Sequence, residues 1–271
     1  MSPWIEIFST VATAVLGVLL GWIFSKLRKP WWTIGYFIPL TLVILVAVTR
    51  WVPELATVPM VSWFMIGRSK FAVFGFITTM LLTTPLSRLS QKRVRALVCV
   101  LMVIVVWGSA IWPVLSPMFN RAELLRLQTK MDPDGICIQS NDYTCGAAAA
   151  VTGLRKLGFP AEEGEVAVLA RTSSASGTHA DILATELQKH YGPDGLTTEF
   201  RYFKGLDDLK TDGITLAVVK YNLLLDHFVT VLEVTNDRVV IGDPLIGRVT
   251  LSSDEFMKKW RRVGVVLRRR D

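Results

Sequence analysis

A chain of 271 residues with a positive mean hydropathy of +0.40 is not an ordinary soluble protein. Its net charge of +7 is also unevenly placed: residues 1–120 carry ten Lys/Arg against two Asp/Glu, whereas residues 121–271 carry twenty against twenty-one. The excess basic residues flank apolar segments, which excludes a nucleic-acid surface and fits the positive-inside rule. The three cysteines (Cys99, Cys137, Cys145) form no CxxC pair, and the three histidines (His179, His190, His227) are scattered. That excludes a zinc site and a disulfide framework, and no cofactor is expected.

A helix needs roughly 20 apolar residues to cross a bilayer core. Four stretches meet or approach that length: Trp4–Phe24, Trp31–Thr49 with Pro39 as a tolerated kink, Phe71–Leu86, and Val94–Leu115. The intervening Val52–Ile66, with Pro53, Glu54 and Pro59, reads as a loop with an interfacial piece. The first stretch has no basic region ahead of it and too long a core for a cleavable signal, so it reads as a true span. Seven basic residues (Lys26, Arg28, Lys29, Arg88, Lys92, Arg93, Arg95) fall on one side, and Arg50, Arg68 and Lys70 on the other. The N-terminus, the 50–70 loop and everything after the fourth span are therefore expected outside the cytoplasm, most simply that of a bacterial plasma membrane. The spans carry little polarity that would serve transport.

Residues 1–118 thus form a transmembrane region, and 119–271 a second domain of ordinary composition. Arg121–Lys130 predicts a short helix and "MDPDG" at 131–135 a turn. The alanine-rich run from Cys145 predicts a helix that ends at Gly158 ahead of Pro160. Residues 161–170 and 179–191 predict two more. From Thr197 the pattern changes to short β-branched and aromatic runs, "LTTEFRYF", "TLAVVKY", "HFVTVLEV", "RVVIGD" and "GRVTL", the strands of a mostly antiparallel sheet. "SSDEFMKKW" predicts a closing helix capped by Ser253, and "GVVLRR" a last strand. Helices first and strands second give an α+β domain.

Four residues of this domain have the chemistry of cysteine acyl transfer, which needs a thiolate, a base, an orienting group and an oxyanion hole. Cys145 opens a helix, where the dipole favours a thiolate and unpaired N–H groups can hold an oxyanion. His227 opens one strand and Asp243 closes the next, so a turn at Asn236–Asp237 brings them to the same end of a hairpin. Asp243 then orients the imidazole toward Cys145. Gln139 offers a side-chain amide as a second oxyanion donor. Gly146 lets a substrate backbone approach, Asp142 lines the cleft, and Cys137 reads as a core or strand cysteine. Taken singly, each residue has a bland reading: a core cysteine, a strand-end histidine, a turn aspartate. The ordered set changes the balance.

That set resembles the bacteriocin-processing, double-glycine-leader cysteine peptidase family. The family pattern is Q-x5-C-G-(A/P)-A, a G-T loop, H-(F/Y)-V and D-P-x-x-G. This chain has Gln139, Cys145–Ala148, Gly177–Thr178, His227–Val229, and Asp243–Pro244 with Gly247. The resemblance covers roughly residues 132–267 and implies a papain-like fold. It also implies Cys145 as nucleophile, His227 as base, Asp243 as orienting acid, Gln139 as oxyanion donor and Thr178 in the substrate cleft. The implied substrate is a peptide or protein precursor, cut after a Gly-Gly pair. Many members are the cytosolic N-terminal domain of an ABC exporter, but this chain has no G-x4-G-K-[ST] motif and its peptidase-like domain follows the spans. A membrane-anchored protease is the leading expectation. The alternatives are amide transfer through the same acyl step, a catalytically silent peptide-binding domain, and a transporter with an incidental soluble domain.

Overall fold

The computed structural model describes residues 3–52, 55, 69–210, 213–222 and 225–270. Most of the expected 52–66 loop, with Glu54, and also Arg68, lie outside these residues. The chain forms two compact units, and the break falls within the last apolar helical stretch, between Ser116 and Pro117.

The first unit is helical. It contains α1 (Pro3–Lys26), α2 (Ile34–Trp51), α3 (Ser69–Thr83), and α4 (Lys92–Val106), which runs through a π-helical turn at Trp107–Ile111 into α5 (Trp112–Phe119). Four helical stretches, Trp4–Lys26, Trp31–Trp51, Ser69–Arg88 and Lys92–Phe119, are long and apolar enough to cross a membrane. Their outward residues are apolar too: Phe8, Ile44 and Val103 are each more than 60% exposed. Such a surface suits lipid rather than water. Small residues bring the helices together, with Gly75 facing Ala14 and Ala110. The Thr13 hydroxyl donates to the Ala72 carbonyl at 3.1 Å. At one end of the unit Arg88 donates to the Leu27 carbonyl at 2.9 Å and Ser87 to that of Ser25 at 3.0 Å. The basic clusters around residues 26–29 and 88–95 therefore share a side.

The second unit is α+β. The Arg121–Lys130 stretch is helical only over α6 (Arg121–Leu124). Beyond it lies a small hairpin, β1 (Lys130–Met131) with β2 (Cys137–Ile138), which the sequence pattern did not indicate because each strand is two residues long. Its turn is the 131–135 segment: Gly135 adopts φ +74°, and Asp132 Oδ1 accepts the Ile136 N–H at 2.8 Å. Next come α7 (Cys145–Lys156), α8 (Glu163–Leu169) and α9 (Ala180–Tyr191). Helix α7 ends at Gly158, at φ +81°, where the Phe159 N–H turns back to the Leu154 carbonyl.

Strands β3 (Leu196–Tyr202), β4 (Ile214–Lys220), β5 (Asp226–Val234), β6 (Arg238–Asp243), β7 (Gly247–Ser252) and β8 (Trp260–Arg269) form one antiparallel sheet in the order β3-β8-β4-β5-β6-β7. The last strand starts four residues earlier than its sequence pattern indicates. Helix α10 (Ser253–Lys259) is capped by Ser252, not Ser253: the Ser252 hydroxyl accepts the Glu255 N–H, and the Glu255 carboxylate accepts the Ser252 N–H. Ser253 instead donates to the Asn236 carbonyl. The capping box needs its carboxylate three residues on, and only Ser252 has that spacing to Glu255.

One sheet face packs Phe203, Val229, Val231, Val239 and Ile241 around Phe256 and Trp260. Helix α7 lies on the sheet near β5, where the buried Thr230 hydroxyl donates to the Ala149 carbonyl at 2.8 Å. The alanines from Ala147 to Ala150 are wholly buried, and their small size sets this close approach.

Candidate active site

Helix α7 follows β2 after the loop 139–144. Cys145 is its first residue and is 8% exposed. Opposite it, the pleat of the sheet sets the partners. Residues at 227, 229 and 231 of β5 share a face with 239, 241 and 243 of β6. Val231 pairs with Ile241, so His227 and Asp243 extend the two rows to the same sheet end. There His227 Nε2 meets Asp243 Oδ1 at 2.7 Å. Cys145 lies near enough to the same ring to act on its protonation.

The electrostatics follow from that geometry. Burial pulls the His227 pKa down. The hydrogen bonds to Asp243 and Cys145, and the negative charge of both, outweigh burial and raise it to about 9. Asp243 is itself oriented, because the same Oδ1 accepts the Leu245 N–H at 2.9 Å. Thus the Asp-Pro sequence forms a turn that aims its own carboxylate.

Gln139 follows β2. Its backbone N–H donates to the Pro244 carbonyl at 2.9 Å, next to Asp243. Its side-chain Nε2 donates to the Asn141 carbonyl at 2.8 Å, and that carbonyl also accepts the N–H of Thr144, the residue before Cys145. The amide keeps a second hydrogen for another acceptor. Gln139 is therefore tied to the neighbours of both Asp243 and Cys145.

The three substrate-cleft candidates fall in different settings. Thr178 is buried and shares a 2.8 Å hydrogen bond with Thr172. It packs directly on Gly146, where a Cβ would meet the Thr178 Cβ at 2.5 Å. The missing side chain of Gly146 is thus filled by Thr178. Asp142 is exposed on the loop ahead of Cys145. His179 is buried at the start of α9, with Nε2 3.2 Å from the Ser176 hydroxyl. Cys137 is wholly buried, and burial followed by the nearby Glu163 charge pushes its thiol up to about 12. Cys99 is exposed on α4. Among the described residues no group of three or more His, Cys, Asp or Glu side chains gathers as a metal would require.

Two features of the site have no local sequence signal. Glu163 is buried in α8 and accepts both the N–H and the hydroxyl of Ser140, at 2.8 and 2.6 Å. Tyr143 donates to Glu123 of α6 at 3.0 Å and accepts from Asn141 at 3.2 Å. "AEEGE" reads as an ordinary acidic helix start, and only the tertiary fold turns one of its carboxylates inward.

The family model for "Peptidase C39 family" matches residues 134–271, just over half of the chain. The chain belongs to the peptidase C39 family. An uncharacterized protein of Methanothermobacter thermautotrophicus is 29% identical over 136 residues, spanning 50% of this chain and 89% of that protein. A "Probable functional amyloid protease FapD" of Pseudomonas fluorescens is 29% identical over 128 residues, spanning 45% of this chain and 55% of that one. Among solved structures, a double glycine motif protease from an AMS/PCAT transporter in complex with the leader peptide has 20% identity and a TM-score of 0.41. It covers 54% of this chain and 96% of its own. The peptidase domain of Streptococcus ComA, a bi-functional ABC transporter, has 22% identity and a TM-score of 0.42, covering 49% and 96%. The family agrees with the resemblance carried by the Gln, Cys, His and Asp motifs. The four apolar helices followed by an α+β papain-like domain are the architecture expected from the sequence.

Proposed function

We propose that this chain is a membrane-anchored cysteine endopeptidase. Residues 1–118 anchor it in a lipid bilayer, and residues 119–271 cleave precursor or leader peptides after a Gly-Gly pair. The observation that carries the reading is the His227 imidazole, bonded to the Asp243 carboxylate at 2.7 Å and near enough to Cys145 for the thiol to act on its protonation. Membership of the C39 peptidases and the likeness to a probable amyloid protease support it.

The chemistry follows from those roles. The Cys145 thiolate attacks the scissile carbonyl carbon, and the carbonyl electron pair moves to oxygen. The Cys145 N–H and the Gln139 amide stabilise that oxyanion. His227, protonated in the ion pair, gives its proton to the leaving amine as the C–N bond breaks and a thioester forms. A water then loses a proton to neutral His227 and attacks the thioester. The acid product leaves and the thiolate returns. Asp243 fixes the ring and stabilises the imidazolium throughout. Tyr221, Leu225, Leu245 and Ile246, all exposed, border the His227–Asp243 end, so apolar side chains of the peptide have a surface to meet.

Lys/Arg placement supports an extracytoplasmic peptidase domain, with Arg88 hydrogen-bonded to the 26–29 end of the first helical unit. Exported or membrane-delivered precursors are then the substrates within reach.

The test is the alkylation rate of Cys145 against pH in detergent, followed by mass spectrometry, in wild type and His227→Ala. Rapid alkylation well below pH 8, lost in His227→Ala, together with cleavage in a Gly-Gly peptide library, is the expected result. A profile of an ordinary thiol near pKa 8.5, unchanged by the substitution, overturns it and leaves a peptide-binding domain.

A further inference from the structure

A fully buried carboxylate is costly unless donors surround it, and the catalytic steps above do not use Glu163. Its two oxygens take separate donors from one residue, Ser140: the backbone N–H at 2.8 Å and the hydroxyl at 2.6 Å. Glu163 is in turn held at its own N–H by the Thr129 hydroxyl at 2.8 Å.

What this does to Gln139 follows from peptide planarity. The Ser140 N–H belongs to the peptide unit that follows the Gln139 Cα. The Gln139 N–H belongs to the unit that precedes it and is bound to the Pro244 carbonyl at 2.9 Å. Both planes that flank this Cα are therefore pinned, one from α8 and one from the Asp243 turn. Two fixed planes leave a single direction for the Cα–Cβ bond. The far end of the side chain is held by the bond from Nε2 to the Asn141 carbonyl at 2.8 Å, so the backbone and that carbonyl together place the amide. We propose that Glu163 is a positioning residue for the Gln139 oxyanion donor, acting through the Ser140 N–H and hydroxyl. The inference rests on the cysteine peptidase reading given above.

A purely structural stitch between α8 and the hairpin would use the same bonds, so the experiment has to separate the two roles. Alkylation of a thiolate by iodoacetamide displaces iodide at a saturated carbon and forms no oxyanion. Amide hydrolysis forms one. Full-length protein in detergent is assayed with an acyl-Gly-Gly-7-amido-4-methylcoumarin substrate and, separately, with iodoacetamide at Cys145. The variants are Glu163→Ala, Glu163→Gln and Ser140→Ala, each with Gln139 present and with Gln139→Ala. Ser140→Ala removes only the hydroxyl arm, so it supplies a variant that folds if Glu163→Ala does not.

The expected result is a fall in kcat for Glu163→Ala similar to that for Gln139→Ala, on the order of 10²-fold, with little change in KM. Glu163→Gln and Ser140→Ala fall less. The alkylation rate stays at the wild-type value. With Gln139→Ala already present, the Glu163 substitutions change kcat by less than about threefold, because two residues that act through one amide are not additive. Equal losses in both backgrounds, or a parallel loss of alkylation, overturn the proposal and leave Glu163 as a structural residue in a working peptidase. A wild-type protein that neither cleaves nor alkylates faster than an ordinary thiol overturns the peptidase reading itself, and this inference with it.

Discussion

Asp243 and Leu245 form a closed local turn: the Leu245 N–H donates to the same Asp243 Oδ1 that His227 Nε2 meets, at 2.9 and 2.7 Å. The carboxylate is therefore oriented by its own turn as well as by the histidine. Asp243→Asn keeps an acceptor in that place but removes the charge. Hydrolysis should fall by about tenfold for Asp243→Asn and by 10² to 10⁴ for His227→Ala, where the base itself is gone. Steady-state kinetics on a Gly-Gly peptide checks both.

The raised His227 pKa predicts how activity and stability depend on pH. The folded value of about 9 lies above the ordinary 6.5, so the folded state holds this proton more tightly than the unfolded chain. The resulting stability is fully present below about pH 6.5 and is lost as pH rises through about 9. The leaving amine also needs that proton, so kcat/KM should have an alkaline limb near pH 9. Asp243→Asn should move the limb to lower pH, since the Asp243 bond is one of the causes of the rise. A limb that stays in place in that variant would remove Asp243 from the set.

The two cysteines of the peptidase unit should differ sharply in reactivity. Cys137 is wholly buried with its thiol pushed up to about 12. At pH 8 its thiolate fraction is on the order of a thousandfold below that of an ordinary thiol. Cys145 should label in the native protein with N-ethylmaleimide, and Cys137 only after unfolding in denaturant. Peptide mapping distinguishes them.

Gly146→Ala should destabilise the second unit by about 1–3 kcal/mol, because the new Cβ would lie 2.5 Å from the Thr178 Cβ in a buried contact. Activity should fall with it, since the shifted residue adjoins Cys145. Thr178→Gly, added to Gly146→Ala, should recover part of the stability. Denaturant midpoints measure both.

Trp260 is wholly buried against Phe203 and Phe256, with ring centroids 5.2 and 5.4 Å apart. Its Nε1 donates to the Val263 carbonyl at 3.2 Å. Trp260→Ala should cost about 3–5 kcal/mol and reduce the amount of folded protein, while any folded fraction retains Cys145 reactivity. Titration with a thiol probe counts that fraction.

The sequence alone determined those features that depend on local chemistry. Apolar runs of bilayer length, the alanine helix that begins at Cys145, the Gly158 stop and the alternating strands each depend on residues within one turn or one strand. The spacing of Gln139, Cys145, His227 and Asp243 was legible because each lies at the edge of such an element. Tertiary structure decided what depends on residues far apart in the chain. The β1–β2 hairpin has two-residue strands with no periodicity to read. The Ser252 cap of α10, by contrast, is local: its three-residue spacing to Glu255 stands in the sequence. Gly146 meets Thr178, Gln139 meets Pro244, and Glu163 turns inward to Ser140 across 23 residues. A carboxylate's partner is set by which helix the fold places beside it, and no pattern of neighbouring residues encodes that placement.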